Sequence, residues 1–212
     1  MTLLKTVSTR DALVDEIRTL ILSGELAPGA PLTETGLSER FGVARPTVRS
    51  ALQVLTSRHL AAQSEGRSLT VPNLDLTDVQ DLYFARLPLE LECAAVIVER
   101  GISLDEAETR LVELEQLPAQ SAWVERVEAH TAFHVAIVDA VGSARLSRIY
   151  LTLQDEMQLC LAQIKSSYPQ QQELATEHRS LLDDLRSGDH ERAQSRMRAH
   201  LAGAVRNFEQ LT

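Results

Sequence analysis

The residues around Gly42 restrict this chain more than any others. Thr33 opens a short helical period in which Leu37 and Phe41 stand four apart on one face. Gly42 ends that period, and a second one runs from about Arg45 to His59 with Val48, Leu52 and Leu55 turned inward. Val43, between the two, is the expected buried turn residue. Pro46 falls in the first turn of the second helix, where the missing N–H has no intrahelical partner in any case. Upstream, Leu13, Ile17, Leu20 and Ile21 give a helix over residues 10–22, stopped by Gly24. The Gly- and Pro-punctuated stretch that follows holds only a turn and a short strand. Downstream, residues 60–63 and 68–71 flank Ser64-Glu-Gly-Arg67 and read as a small hairpin. Helix, strand, helix, glycine turn, helix and hairpin make a winged helix-turn-helix over residues 1–72.

Such a unit suits DNA, because its second helix fits the major groove while the hairpin reaches the neighbouring backbone. A formal charge of −9 speaks against that partner, since phosphate contacts need Lys and Arg. The charge is unevenly placed, however. Residues 1–70 carry 8 basic against 7 acidic side chains, a net +1, and the remainder carries 13 against 23, a net −10. Arg45 and Arg49 are i,i+4 neighbours at the start of the second helix of the pair, with Thr47 beside them. Arginine can bond guanine O6 and N7 bidentately and threonine suits a phosphate. Arg45, Thr47 and Arg49, with Arg40 and the wing residue Arg67, are therefore the candidate DNA contacts. Two arginines on a helix are otherwise an ordinary solvated face; their place directly after a glycine turn favours the DNA reading.

Beyond Pro72-Asn-Leu-Asp75, a linker, nearly everything has helical period. Helices are expected at about 76–100, 103–116, 120–140, 143–166, 168–187 and 189–210, broken at Gly101, Pro118, Gly142, Pro169 and Gly188 and with Asp189 as the last N-cap. Residues 76–212 thus form an all-α antiparallel bundle, and the fold class is mainly α. No run approaches the ~20 apolar residues of a membrane helix, and Met1-Thr-Leu-Leu-Lys5 lacks the apolar stretch of a signal peptide, so a cytoplasmic protein without a membrane partner is expected. Cys93 and Cys160, with no CxxC spacing, are expected as buried, reduced thiols.

Four histidines can meet inside that bundle. His130 and His134 share one face of a helix, and His178 and His200 lie on helices either side of the Gly188 turn. Neutral imidazoles suit zinc, nickel, copper or iron, and no thiolate stands near. The plainer alternative makes them structural histidines in a metal-free protein. A third, a metal-dependent hydrolase or sensor enzyme, requires a carboxylate base; His130-Thr-Ala-Phe-His134 is not HExxH, and no GxSxG elbow, P-loop or GxGxxG stretch is present. No enzyme activity is expected.

Ile21-Leu-Ser-Gly-Glu-Leu-Ala-Pro-Gly29 and Leu37-Ser-Glu-Arg-Phe-Gly-Val-Ala-Arg-Pro-Thr-Val-Arg-Ser-Ala-Leu52 resemble the signatures of the GntR-type transcription regulators. Arg86-Leu-Pro-Leu-Glu90, Phe133-His134, Glu177-His178 and Met197-Arg-Ala-His200-Leu201 resemble motifs of the FCD ligand domain of its FadR-like branch, so the likeness spans almost the whole chain. It implies a homodimer binding double-stranded operator DNA, more often as a repressor, under the control of a small carboxylate effector. It further implies a divalent metal held by one Asp and three His. Here the three fall on His134, His178 and His200, and the Asp position is His130, a departure that removes a negative charge and favours zinc or nickel. The resemblance also gives Arg86 an effector carboxylate to pair with, which its planar fork can hold bidentately. A surface i,i+4 salt bridge to Glu90 is the alternative for Arg86. Pro88 should kink the helix between them. Ala44 replaces the usual serine cap before Arg45, Ser68 a wing glycine, and Ser143 the asparagine of a turn.

Overall fold

The computed structural model describes residues 8–64, 66, 68–118, 120–164 and 171–209. Two compact units result, residues 1–73 and 74–212. In the first, Ser8 accepts the Asp11 N–H and opens α1 (Thr9–Ser23), whose Leu13, Val14, Ile17, Ile21 and Leu22 are buried. Thr33 Oγ1 accepts the Gly36 N–H at 3.1 Å and opens α2 (Glu34–Phe41). The chain then turns at Gly42, whose φ of 64° is left-handed and favours glycine, into α3 (Arg45–Ser57). Ala44 at the N-cap makes no side-chain cap, so α3 starts without the hydrogen bond a serine would give, a loss of about 1 kcal/mol. Val43 is half-buried rather than buried; its carbonyl accepts the Ser38 hydroxyl at 2.6 Å, which locks the turn through the backbone instead. Val48, Ala51, Leu52 and Leu55 of α3 pack against α1 and α2.

The wing is a minimal hairpin. β1 (Ala62–Gln63) and β2 (Leu69–Thr70) pair antiparallel, Ala62 opposite Thr70 and Gln63 opposite Leu69, and Pro31 bridges to Thr70 from the expected third segment. Arg67, a candidate DNA contact, lies outside the described residues.

The second unit begins with a reciprocal cap: Asp75 accepts the Asp78 N–H at 2.9 Å and Asp78 accepts the Asp75 N–H at 3.0 Å. It starts α4 (Leu76–Arg100), one unbroken helix with Pro88 inside it and Gly101 closing it. Then come α5 (Asp105–Gln116), α6 (Trp123–Ala140), α7 (Ala144–Thr152), α8 (Gln154–Gln163), α9 (Gln171–Arg186) and α10 (His190–Glu209). Asp189 Oδ1 accepts the Arg192 N–H at 3.0 Å and caps the last of them. α10 lies along α4 and α5 along α6, with α9 against α5 and α10. Phe133, Ile137, Met157, Leu181, Leu182 and Met197 are among the buried side chains at their centre. The fold is thus mainly α, a winged helix-turn-helix and a helical bundle.

One expected helix, 143–166, is two. Leu153 N–H reaches back three residues to Tyr150 O, where the α ladder is interrupted and α8 starts afresh, and beside it the Thr152 hydroxyl donates to Ile149 O at 2.6 Å. The step lets Tyr150 of α7 and Met157, Cys160 and Leu161 of α8 all turn inward. The beginning of the expected helix 168–187 lies outside the described residues. Burial pushes the Cys93 and Cys160 thiols up to about 12, which leaves them protonated and inert. No helix among the described residues is long and apolar enough to cross a membrane.

Candidate functional site

The bundle brings the four histidines together. His130 and His134 of α6, His178 of α9 and His200 of α10 are all buried, and one ligand atom from each lies within 4.8 Å of every other. His134 Nε2 is 3.3 Å from His178 Nε2 and 3.1 Å from His200 Nε2. The opposite ring nitrogens settle what those atoms carry. His178 Nδ1 is 2.7 Å from Leu174 O, an acceptor only, so the proton is on Nδ1. His134 Nδ1–H is directed at Glu90 Oε2 at 3.1 Å, and His200 Nδ1–H at Glu177 Oε1 at 3.1 Å. In the neutral ring each Nε2 is then a lone pair. With all three rings neutral, three lone pairs face one another with no proton between them.

His130, His134 and His178 are kept neutral by their surroundings. Burial is the largest cause that holds His130, His134 and His178 well below the ordinary histidine value, and neighbouring imidazoles and Arg86 add to it. A cation is what such a cluster can hold. Nitrogens about 2.05 Å from one ion are about 2.9 Å apart at a right angle and about 3.3 Å apart at the tetrahedral angle, and the two measured separations fall on that interval. The partners that fix each Nδ1–H are those that orient ligand imidazoles in metal sites. The four buried histidines could therefore hold a metal ion.

Beside them lies a charged triad that the sequence did not disclose. Arg86 and Glu90 of α4 pair at i,i+4 as the spacing allows, yet the pair is interior: the side chains are 2% and 0% exposed, so the surface salt bridge is ruled out. Burial is the largest single influence and works against the Arg86 charge, but Glu90, Tyr150 and Tyr83 together outweigh it and hold the guanidinium's pKa above its ordinary value. Tyr150 donates its hydroxyl to Glu90 Oε1 at 2.8 Å, and Glu90 Oε2 faces His134. Burial also raises the Tyr150 phenol, which stays protonated. One carboxylate thus joins Arg86, Tyr150 and the histidine cluster. Arg86 Nη2 is buried with no hydrogen-bond partner among the described residues.

A cavity of about 260 Å³ opens on this arrangement. Arg86, His130 and His200 line it together with Tyr83, four aliphatic side chains of α8, α9 and α10, and the polar Glu173, Glu177 and Asn207. Arg86 thus faces a cavity while its ion pair with Glu90 lies in the interior. Carboxylates do approach the histidines, against the sequence reading that found none. Glu90 and Glu177 each accept from an imidazole Nδ1–H, an orienting role rather than that of a base for water.

In the first unit, α3 presents exposed Arg45 and Arg49 with half-buried Thr47 between them. Glu34 of α2 holds Arg49 in a fork, Nε to Oε1 at 2.6 Å and Nη2 to Oε2 at 2.9 Å. Arg40 meets Glu25 at 2.5 Å and lies 5.6 Å over the Phe41 ring. Exposed pairs of this kind are held weakly against solvent, so a nucleic-acid phosphate or base can displace them at little cost.

Comparison with known proteins agrees with both units. Residues 9–71 match the family described as bacterial regulatory proteins, gntR family, and residues 81–203 match the FCD domain. LutR of Bacillus subtilis, an HTH-type transcriptional regulator, is 27% identical over 208 residues, covering 86% of this chain and 93% of its own. Mce2R of Mycobacterium tuberculosis, named likewise, is 27% identical over 207 residues, covering 86% and 84%. Among solved structures, a GntR transcriptional regulator from Rhodococcus sp. RHA1 superposes with a TM-score of 0.81 at 22% identity, covering 97% of this chain and 100% of that one. McbR/YncC of E. coli gives 0.75 at 22% identity, covering 98% and 100%. The relatives are regulators and not enzymes, which disposes of the hydrolase alternative.

Proposed function

Because the chain belongs to the GntR family of bacterial regulatory proteins and carries an FCD domain behind its DNA-binding unit, we propose that it is a homodimeric repressor whose operator affinity is set by a small organic acid. The acid binds at a site containing zinc or nickel, held by His134, His178 and His200 with His130 as fourth ligand. The observation that carries this reading is the convergence of the His134, His178 and His200 Nε2 atoms in a cluster whose His130 and His200 line a cavity together with the buried, incompletely paired Arg86. A bound ion supplies a Lewis-acidic position for a carboxylate oxygen. Arg86 supplies the donor for the effector's carboxylate, its charge kept in place by Glu90, and the apolar walls exclude water from the pair. The all-nitrogen donor set is what selects zinc or nickel over oxygen-seeking ions.

In the first unit Arg45 and Arg49 read base edges, Thr47 and Arg40 meet phosphates, and Arg67 serves the wing contact. Two copies related by a twofold axis place their recognition helices on half-sites about 34 Å apart, so the operator is a short pseudo-palindrome. The protein is placed in the cytoplasm, where operator DNA is. An effector releases DNA only if it binds the low-affinity conformer more tightly; a tenfold difference corresponds to about 1.4 kcal/mol of coupling. The test uses the small molecule released when the purified full-length protein is denatured and identified by mass spectrometry. Added to an operator gel shift, it lowers the affinity of wild type and not of Arg86→Met. An equal response in both proteins contradicts the proposal.

A further inference from the structure

Glu34 and Arg49 meet across the Gly42 turn. Glu34 is the first residue of α2, directly after the Thr33 cap, and Arg49 stands in the second turn of α3. Fifteen positions apart in the chain, they form a fork in which Arg49 Nε donates to Oε1 at 2.6 Å and Nη2 to Oε2 at 2.9 Å. Both oxygens of the carboxylate are therefore committed to one side of the guanidinium. A guanidinium has two edges that donate parallel N–H bonds, Nε with Nη2 and Nη1 with Nη2. The fork takes the first. The second keeps both Nη1 hydrogens and the remaining Nη2 hydrogen, and a pair of parallel N–H donors is what guanine O6 and N7 accept. Displacement by a base is open to this pair, yet guanine does not require it.

We propose that Glu34 is a positioning residue for base recognition, holding Arg49 by its Nε–Nη2 edge so that the Nη1–Nη2 edge meets guanine. This rests on the recognition-helix reading above and deepens it. Arg49 needs such a hold. Its side chain is 63% exposed and lines a cavity of about 450 Å³ together with other residues of α3 and of the hairpin, so a released guanidinium has room for other rotamers and for phosphate oxygens. Confining it costs side-chain entropy, and the fork confines it before DNA arrives. The pair is weak in water, but entry into the groove removes water from it, and the attraction of the two charges rises as the local dielectric falls. The carboxylate also opposes every phosphate whatever the sequence. Glu34 thus lowers affinity for all duplexes while widening the difference between guanine and the other bases. That combination separates it from a residue that merely ties α2 to α3.

The test uses full-length protein and a duplex selected from a randomised library by the wild type. Each G·C pair of the selected site is changed singly to A·T, and binding is read by gel shift at fixed salt, with a shuffled duplex as the non-specific probe. The pair read by Arg49 is the one whose change no longer matters in Arg49→Ala. At that pair Glu34→Gln is expected to cut the preference for guanine at least about fivefold, with unchanged circular dichroism, while the shuffled duplex binds equally or more tightly. Added to Arg49→Ala, the same substitution leaves the remaining base preferences unaltered. Wild-type discrimination at that pair in Glu34→Gln overturns the proposal, as does a loss spread equally over every pair and the shuffled duplex. If Arg49→Ala removes no base preference, Arg49 leaves the recognition surface and this proposal falls with it.

Discussion

Replacing Glu90 with glutamine exchanges one oxygen for an amide nitrogen and removes one charge at almost constant volume. In the native structure that carboxylate is fully buried, pairs with the equally buried Arg86, accepts the Tyr150 hydroxyl at 2.8 Å and faces His134 Nδ1 at 3.1 Å. Glutamine Oε1 can keep the arginine and the tyrosine, but the guanidinium then sits in the interior without a counter-charge. Breaking a buried pair in this way costs about 3–5 kcal/mol, and glutamine's retained hydrogen bonds put the expected loss near the lower figure. The amide nitrogen meets His134 Nδ1–H donor to donor. His134 escapes by moving its proton to Nε2, the atom that faces His178 and His200, and the converging lone pairs are lost. Removing an orienting partner of a ligand imidazole lowers metal affinity about 10–100-fold. Urea unfolding of metal-free protein, followed by circular dichroism, measures the first effect, and competition with a chromophoric chelator measures the second. The double variant Arg86→Met, Glu90→Leu separates them: stability returns, because well-packed apolar groups replace a buried pair at little or no cost, while zinc affinity stays low. A Glu90→Gln protein within about 1 kcal/mol of wild type and with unaltered zinc affinity refutes the reasoning.

Arg45→Ala and Arg49→Ala should each weaken operator binding by about 1–3 kcal/mol, roughly ten- to a hundredfold in a gel shift, with unchanged circular dichroism; an unchanged shift in either variant removes that residue from the recognition surface. In chelator-treated protein the depressed values of His130, His134 and His178 make stability fall on acidification. The unfolded chain takes up protons below the ordinary value near 6.5 while the folded one does not, so stability is fully present above pH 6.5. Below it, about 1.4 kcal/mol is lost per pH unit for each histidine, or about 4 for the three. Urea midpoints that agree at pH 7.5 and 5.5 contradict this.

What could be read from the sequence was what one or two turns of chain decide. Thr33, Gly42 and Asp189 act on backbone groups within three residues, and each does in the structure what its chemistry implies. The i,i+4 spacings were also legible: His130 with His134, and Arg86 with Glu90, do share a helix face. Hidden was everything that a second helix decides. The Arg86–Glu90 pair is interior because α7 lays Tyr150 over it, and no local signal in residues 86–90 announces that. Glu177 stands next to His178 yet serves His200 across the bundle, since neighbours on a helix point about 100° apart. The break between α7 and α8 escaped because the apolar period runs through it, while the interruption is a local change of the backbone ladder at Leu153.

Elemental analysis of full-length protein purified without a histidine tag tests most directly whether the four histidines hold a metal. One zinc or nickel per chain is expected, with stoichiometry falling to near zero in His134→Ala, His178→Ala. A wild-type protein that binds no stoichiometric metal when offered zinc or nickel, or a double variant that retains it, contradicts the account.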